Sequence, residues 1–247
     1  MSFSEAAIDY PRAEGPQAGK RKPGVRILLL ALIAALAATL VTVLLPKGTS
    51  HAATFSDLVP APADPVTIDV KSANGSGCPS NTANVAMSED NTAFTVTYSD
   101  FLAQTGVGAK PTDFRKNCQL NLLVHVPQGF TYAIAQADYR GFASLANGAN
   151  GQFKANYYFQ GMSETLSSGQ TFKGSYSDNW QTTDKFNMAA LVFKPCGDDR
   201  NFNINNELRV NAGTSDKSKT TSFMSMDSTD VAISTIFRLQ WAKCPTS

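Results

Sequence analysis

Residues 201–211, NFNINNELRVN, alternate apolar and polar side chains with a period of two. Phe202, Ile204, Leu208 and Val210 fall on one face, and Asn203, Asn205, Glu207 and Arg209 on the other. That is the signature of a strand with one buried side and one wet side. Further short apolar runs follow the same logic at 93–101, 119–127, 130–146, 153–161, 188–195 and 233–243, with one or two more within 169–186. Clusters of Gly, Asn, Asp and Ser separate them. No long helical pattern and no internal repeat follows residue 53. The reading is an all-β fold, an antiparallel β-sandwich that could be jelly-roll-like, with a closed β-barrel as the alternative.

The N-terminus is a different kind of sequence. Lys20, Arg21, Lys22 and Arg26 precede Ile27–Leu45, which carries no charge, and Ser-His-Ala at 50–52 sets small residues around a cleavage point. Residues 1–52 therefore read as a secretory signal peptide cut after Ala52 or Ala53. An uncleaved signal anchor is the alternative, since the run is long enough to span a bilayer. Both readings put the body outside the membrane, and only this segment would touch lipid. Residues 53–65, with Pro60, Pro62 and Pro65, read as an extended linker. Residues 66–247 read as one domain.

Residues 1–52 hold six Lys/Arg and three Asp/Glu, which leaves fifteen and seventeen for the rest of the chain. A body of that balance is no basic nucleic-acid binder. All four cysteines, Cys78, Cys118, Cys196 and Cys244, lie in it. In an oxidising compartment an even number predicts two disulfides. Three pairings are open, and Cys78–Cys118 with Cys196–Cys244 is favoured because each pair brackets one half of the body. No C-x-x-C spacing exists, and His125 is the one histidine left after processing, so no metal site and no cofactor are expected.

Within YAIAQADYRGFASLA, residues 132–146, the charges of Asp138 and Arg140 interrupt an apolar segment. On a regular strand they share a face with Ile134, Gln136 and Phe142. Ala133, Ala135, Ala137, Tyr139 and Gly141 take the other. The expectation is a partly buried Asp138–Arg140 pair that fixes the strand's register; the alternatives are an exposed or half-exposed ion pair that contributes little, or a polar face that holds a ligand. With Asn203, Asn205, Glu207 and Arg209, these residues are the candidate polar surface.

NGSGCP (74–79), DNTAFTVTYSDF (90–101), RKNCQLNLLVHVPQGFTYAIAQADYRGFA (115–143), YYFQG (157–161), PCG (195–197), NINNELRV (203–210), STD (228–230) and LQWAKC (239–244) together resemble the secreted domain-of-unknown-function family four-three-six-zero. The resemblance runs from about residue 66 to Cys244. It implies export and one compact domain, and it supplies no catalytic residues.

No G-x-S-x-G elbow, Walker motif or dinucleotide fingerprint occurs, and a Ser-His-Asp triad would have to be built on His125. The acidic loops CGDDR (196–200) and MDSTD (226–230) lack the spacing of a calcium loop. The expectation is a binding or structural domain at the cell surface, with a cell-wall or extracellular glycan as partner. Tyr157, Tyr158, Phe159, Tyr176 and Trp180 would be candidate stacking platforms. The alternative is a carbohydrate-active hydrolase using a carboxylate pair drawn from Glu89, Glu164, Glu207 and the aspartates.

Overall fold

A computed structural model describes residues 58–226 and 235–245. The expected signal segment and the STD stretch lie outside them. In chain order the strands are β1 (Leu58–Val59), β2 (Thr67–Asn74), β3 (Ala83–Met87), β4 (Ala93–Tyr98), β5 (Leu102–Gly106), β6 (Arg115–His125) and β7 (Phe130–Leu145). There follow β8 (Asn150–Phe159), β9 (Leu166–Lys173), β10 (Tyr176–Lys185), β11 (Phe202–Asn211), β12 (Thr221–Met226) and β13 (Thr235–Lys243). Every pairing among them is antiparallel. They form two open sheets, not a closed barrel. No described helix is long and apolar enough to cross a membrane.

The first sheet, here sheet A, is centred on β7, which carries β10 along one edge. Along the other edge lie β13, opposite residues 130–138, and β12, opposite residues 141–144. The far sides of β12 and β13 pair with β5 and β4. Two positions in this sheet are thus each filled by two short strands placed end to end. β3 adds to β4, and β1 to the end of β13. Sheet B has the order β2-β6-β11-β8-β9.

The facing sides of the sheets make one core, rich in rings. Tyr139 of sheet A lies 4.4 Å from Phe153 of sheet B, and Tyr132 lies 5.5 Å from Phe159, centroid to centroid. Burying each such side chain contributes about 1.5 to 3 kcal/mol. Gly141 is required by crowding: a Cβ there would stand 2.0 Å from the Ser225 carbonyl oxygen and 2.7 Å from the Trp180 ring.

Both disulfides are present, Cys78–Cys118 and Cys196–Cys244. The first is buried in the core, and the second lies toward solvent at one end of the sandwich.

Two sequence expectations change. Residues 188–195 are not a strand. Met188–Ala190 form a 3-10 turn, and only Phe193 bridges to Ala133. The Pro-rich stretch ahead of Val66 is tied down over its later part: β1 pairs with Trp241 and Ala242, and the Asn91 amide donates to the Pro62 and Asp64 carbonyls. Asn91 holds this with φ 55°, a left-handed conformation that asparagine adopts more readily than most residues.

Candidate functional site

The alternation in β7 is broken once. Gln136 pairs with Arg238 and Ile134 with Leu239, so Ala135 is the extra residue of a β-bulge. The bulge reverses the facing of what precedes it. Ile134, expected on the Asp138 face, is buried in the core together with Tyr132, Ala137 and Tyr139. Beyond the bulge, Asp138 and Arg140 do share the outer face of sheet A, as alternation requires.

They do not form an ion pair with each other among the described residues. Asp138, 5% exposed, takes Gln136 Nε2 at 2.8 and 2.9 Å, Thr183 Oγ1 at 2.7 Å, and Arg238 Nε of β13 at 3.5 Å. Its acceptor capacity is used within the fold. Arg140 stands opposite Gln181 of β10, and Phe142 packs against Phe223 at 5.9 Å.

The other four candidates, Asn203, Asn205, Glu207 and Arg209, lie together on the outer face of sheet B. Cross-strand register extends them into rows. One row reads Asn74, Gln119, Asn205, Asn156 and Ser167 across all five strands. The next reads Ser72, Asn121, Asn203 and Tyr158. Neither contains a charge. On the other side of the first row come Asn117, Glu207 and Lys154, and then Arg115, Arg209 and Gln152.

The two halves of this face differ in their bonding. Asn201 Nδ2 donates to Asn121 Oδ1 at 2.7 Å, and Asn121 Nδ2 donates to Asn203 Oδ1 at 2.8 Å. This relay fixes Asn203, itself 5% exposed, and leaves its amino group without an acceptor among the described residues. Gln119 and Asn205 donate to no other described residue, and Asn156 accepts from Ser167 Oγ at 2.7 Å. Tyr158 stands half-buried beside Asn203. In the charged half, Glu207 is held by Arg115 Nε at 2.7 Å, by Arg115 Nη2, and by Arg209 Nη2 at 3.1 Å.

A carboxylate clamped between two guanidiniums is poorly placed to be a nucleophile or a base. Of the other body glutamates, Glu89 sits in the β3–β4 turn and Glu164 in the β8–β9 connection. His125 bonds Asp69 at 3.0 Å, and the His125 and Lys71 hydrogen bonds hold the Asp69 carboxyl below its ordinary range. Of the expected aromatic platforms, Tyr157, Phe159 and Trp180 are core residues, and only Tyr158 and Tyr176 are half-buried.

Two further polar features are taken up by the fold. Tyr157, from β8, donates to Asp184 Oδ2 of β10 at 3.0 Å and also bonds Tyr139 of β7, while Ser168 of β9 bonds the same carboxylate. Burial pushes both phenols well above their ordinary range. A cleft of about 770 Å³ adjoins the Cys196–Cys244 disulfide, lined by Gln128, Phe130, Lys194 and Asp199 among others. Burial lowers the pKa of the Lys194 ammonium, whose protons go to the Pro195 and Asp198 carbonyls.

A family model described as Domain of unknown function (DUF4360) matches residues 64–244. A protein of Arthroderma benhamiae described as an uncharacterized secreted protein is 34% identical over 170 residues, which are 69% of this chain and 68% of that one. Among solved structures, the enzymatically active domain of Bacteriophage CBA120 tailspike protein 4 is 10% identical, with a TM-score of 0.23, over 74% of this chain and 20% of that one. A likeness at that level carries no argument.

Proposed function

This chain belongs to the DUF4360 family of domains of unknown function, and on that premise we propose, from its surface chemistry, that it is an exported, disulfide-stabilised domain that binds glycan through the outer face of sheet B. The observation that carries the reading is Asn203. Its oxygen is fixed by Asn121, and its amino group, which reaches the surface, has no protein acceptor among the described residues, so it is an oriented donor open to a ligand. It sits among uncharged amides and hydroxyls beside the Tyr158 ring, and polar donors beside an aromatic face suit a sugar's hydroxyls and its apolar C–H face. The secreted description of the Arthroderma benhamiae relative supports export.

Affinity electrophoresis through gels that contain neutral or acidic polysaccharides tests the reading. The wild type is expected to be retarded by at least one of them. The double variant Gln119→Ala/Asn205→Ala is expected to lose the retardation while its melting temperature stays put. No retardation by any polysaccharide would refute it.

A further inference from the structure

We propose that the glycan is a linear acidic polysaccharide, lying across the strands of sheet B with its carboxylates turned toward Lys154 in the adjoining row. This rests on the reading of sheet B as a glycan-binding face and adds the substrate class. Adjacent strands stand about 4.8 Å apart, so the five-strand row of four amides and the Ser167 hydroxyl spans about 19 Å. An extended hexose chain advances by a similar step per sugar, so a chain laid along the row would meet a new strand's side chain at nearly every sugar.

Charge sets the second requirement. Beside the uncharged rows, the same face carries Arg115, Arg209 and Lys154 around Glu207, while its other carboxylate, Asp69 of β2, engages Lys71 and His125. Glu207 engages both arginines. Lys154 stands opposite Glu207 in register yet outside ion-pair distance of it. It takes no carboxylate partner among the described residues. In a body with more acidic than basic residues, the face that holds the free amides thus carries a net positive group of side chains, Arg115, Arg209 and Lys154 against Glu207. Such a field attracts a polyanion. The amide rows favour a polyanion that also presents hydroxyls, which separates an acidic polysaccharide from a bare polyphosphate.

The experiment compares polygalacturonate with the same polymer after its carboxyls are reduced to alcohols, using the folded secreted chain. Polygalacturonate is expected to bind at least about tenfold more tightly, and to lose that advantage as salt rises from about 0.05 M to about 0.5 M. Lys154→Glu should remove most of the advantage while the reduced polymer is still bound. Gln119→Ala/Asn205→Ala should weaken binding to both. Equal affinity for the two polymers, or an unaffected lysine variant, would overturn the acidic assignment and leave glycan binding standing. Retention of neither polymer would overturn the assignment together with the reading beneath it. Equally tight binding to duplex DNA would also overturn it, by showing an unselective polyanion surface.

Discussion

Asp138 and Asn203 are each 5% exposed, each on the outer face of its sheet, and each surrounded by polar side chains. Their situations are opposite. Asp138 has Gln136, Thr183 and Arg238 aimed at its oxygens. Asn203 has its oxygen fixed and its amino group idle. The difference teaches that a charged residue inside an apolar strand is weaker evidence of a site than a neutral amide left half-satisfied. A carboxylate cannot stay buried without partners, so the fold supplies them. An amide tolerates an incomplete set while water or a ligand can reach it.

The largest effect expected lies beneath sheet B, at its buried disulfide. The loops closed by Cys78–Cys118 and Cys196–Cys244 are similar, with separations of 40 and 48 residues. Loop entropy alone makes each worth about 4 kcal/mol. The buried pair also fills core volume, so replacing both of its cysteines by Ala should cost about 1 kcal/mol more than the same change at the solvent-facing pair. Denaturant unfolding of the two double variants measures this, and equal costs would show that the buried bridge contributes nothing beyond its loop.

Next come the phenols between the two faces. Tyr139 and Tyr157 are raised in the fold, and an unfolded tyrosine ionises near pH 10. The folded state therefore keeps protons that the unfolded state gives up. Stability should be intact below about pH 10 and fall above it, by roughly 1 kcal/mol per phenol per pH unit. Urea unfolding at a series of alkaline pH values tests this, and Tyr157→Phe should flatten the slope.

A smaller effect tests the outer faces directly. Asp138→Ala should cost about 2 kcal/mol through its lost charge-assisted hydrogen bonds. Arg238→Ala should cost less than about 1 kcal/mol, because its side chain is 55% exposed. A double-mutant cycle should find coupling between Asp138 and Arg238, and none between Asp138 and Arg140. Coupling to Arg140 would restore the pairing that the sequence suggested.

Much of sheet B was legible before any pairing was known. In β6, Gln119 and Asn121 alternate with Leu120 and Leu122. In β8, Lys154, Asn156 and Tyr158 alternate with Phe153, Ala155, Tyr157 and Phe159. The same signal that exposed Asn203 and Asn205 could have added these residues to the surface. It could not have placed the three strands side by side.

Alternation, cysteine number and the separation of a basic apolar N-terminus from a mixed-charge body are local properties, and the sequence determined them by itself. It thereby settled an all-β body with one wet and one dry side to each regular strand. The tertiary structure decided what depends on register between distant segments. It brought Arg238 to Asp138 across 100 residues, inserted the bulge at Ala135 that turned Ile134 inward, and aligned the amides of four strands with Ser167 of the fifth into rows. The physical reason is that a strand's period fixes which way a side chain points, whereas its neighbours are chosen by the packing of the whole sheet.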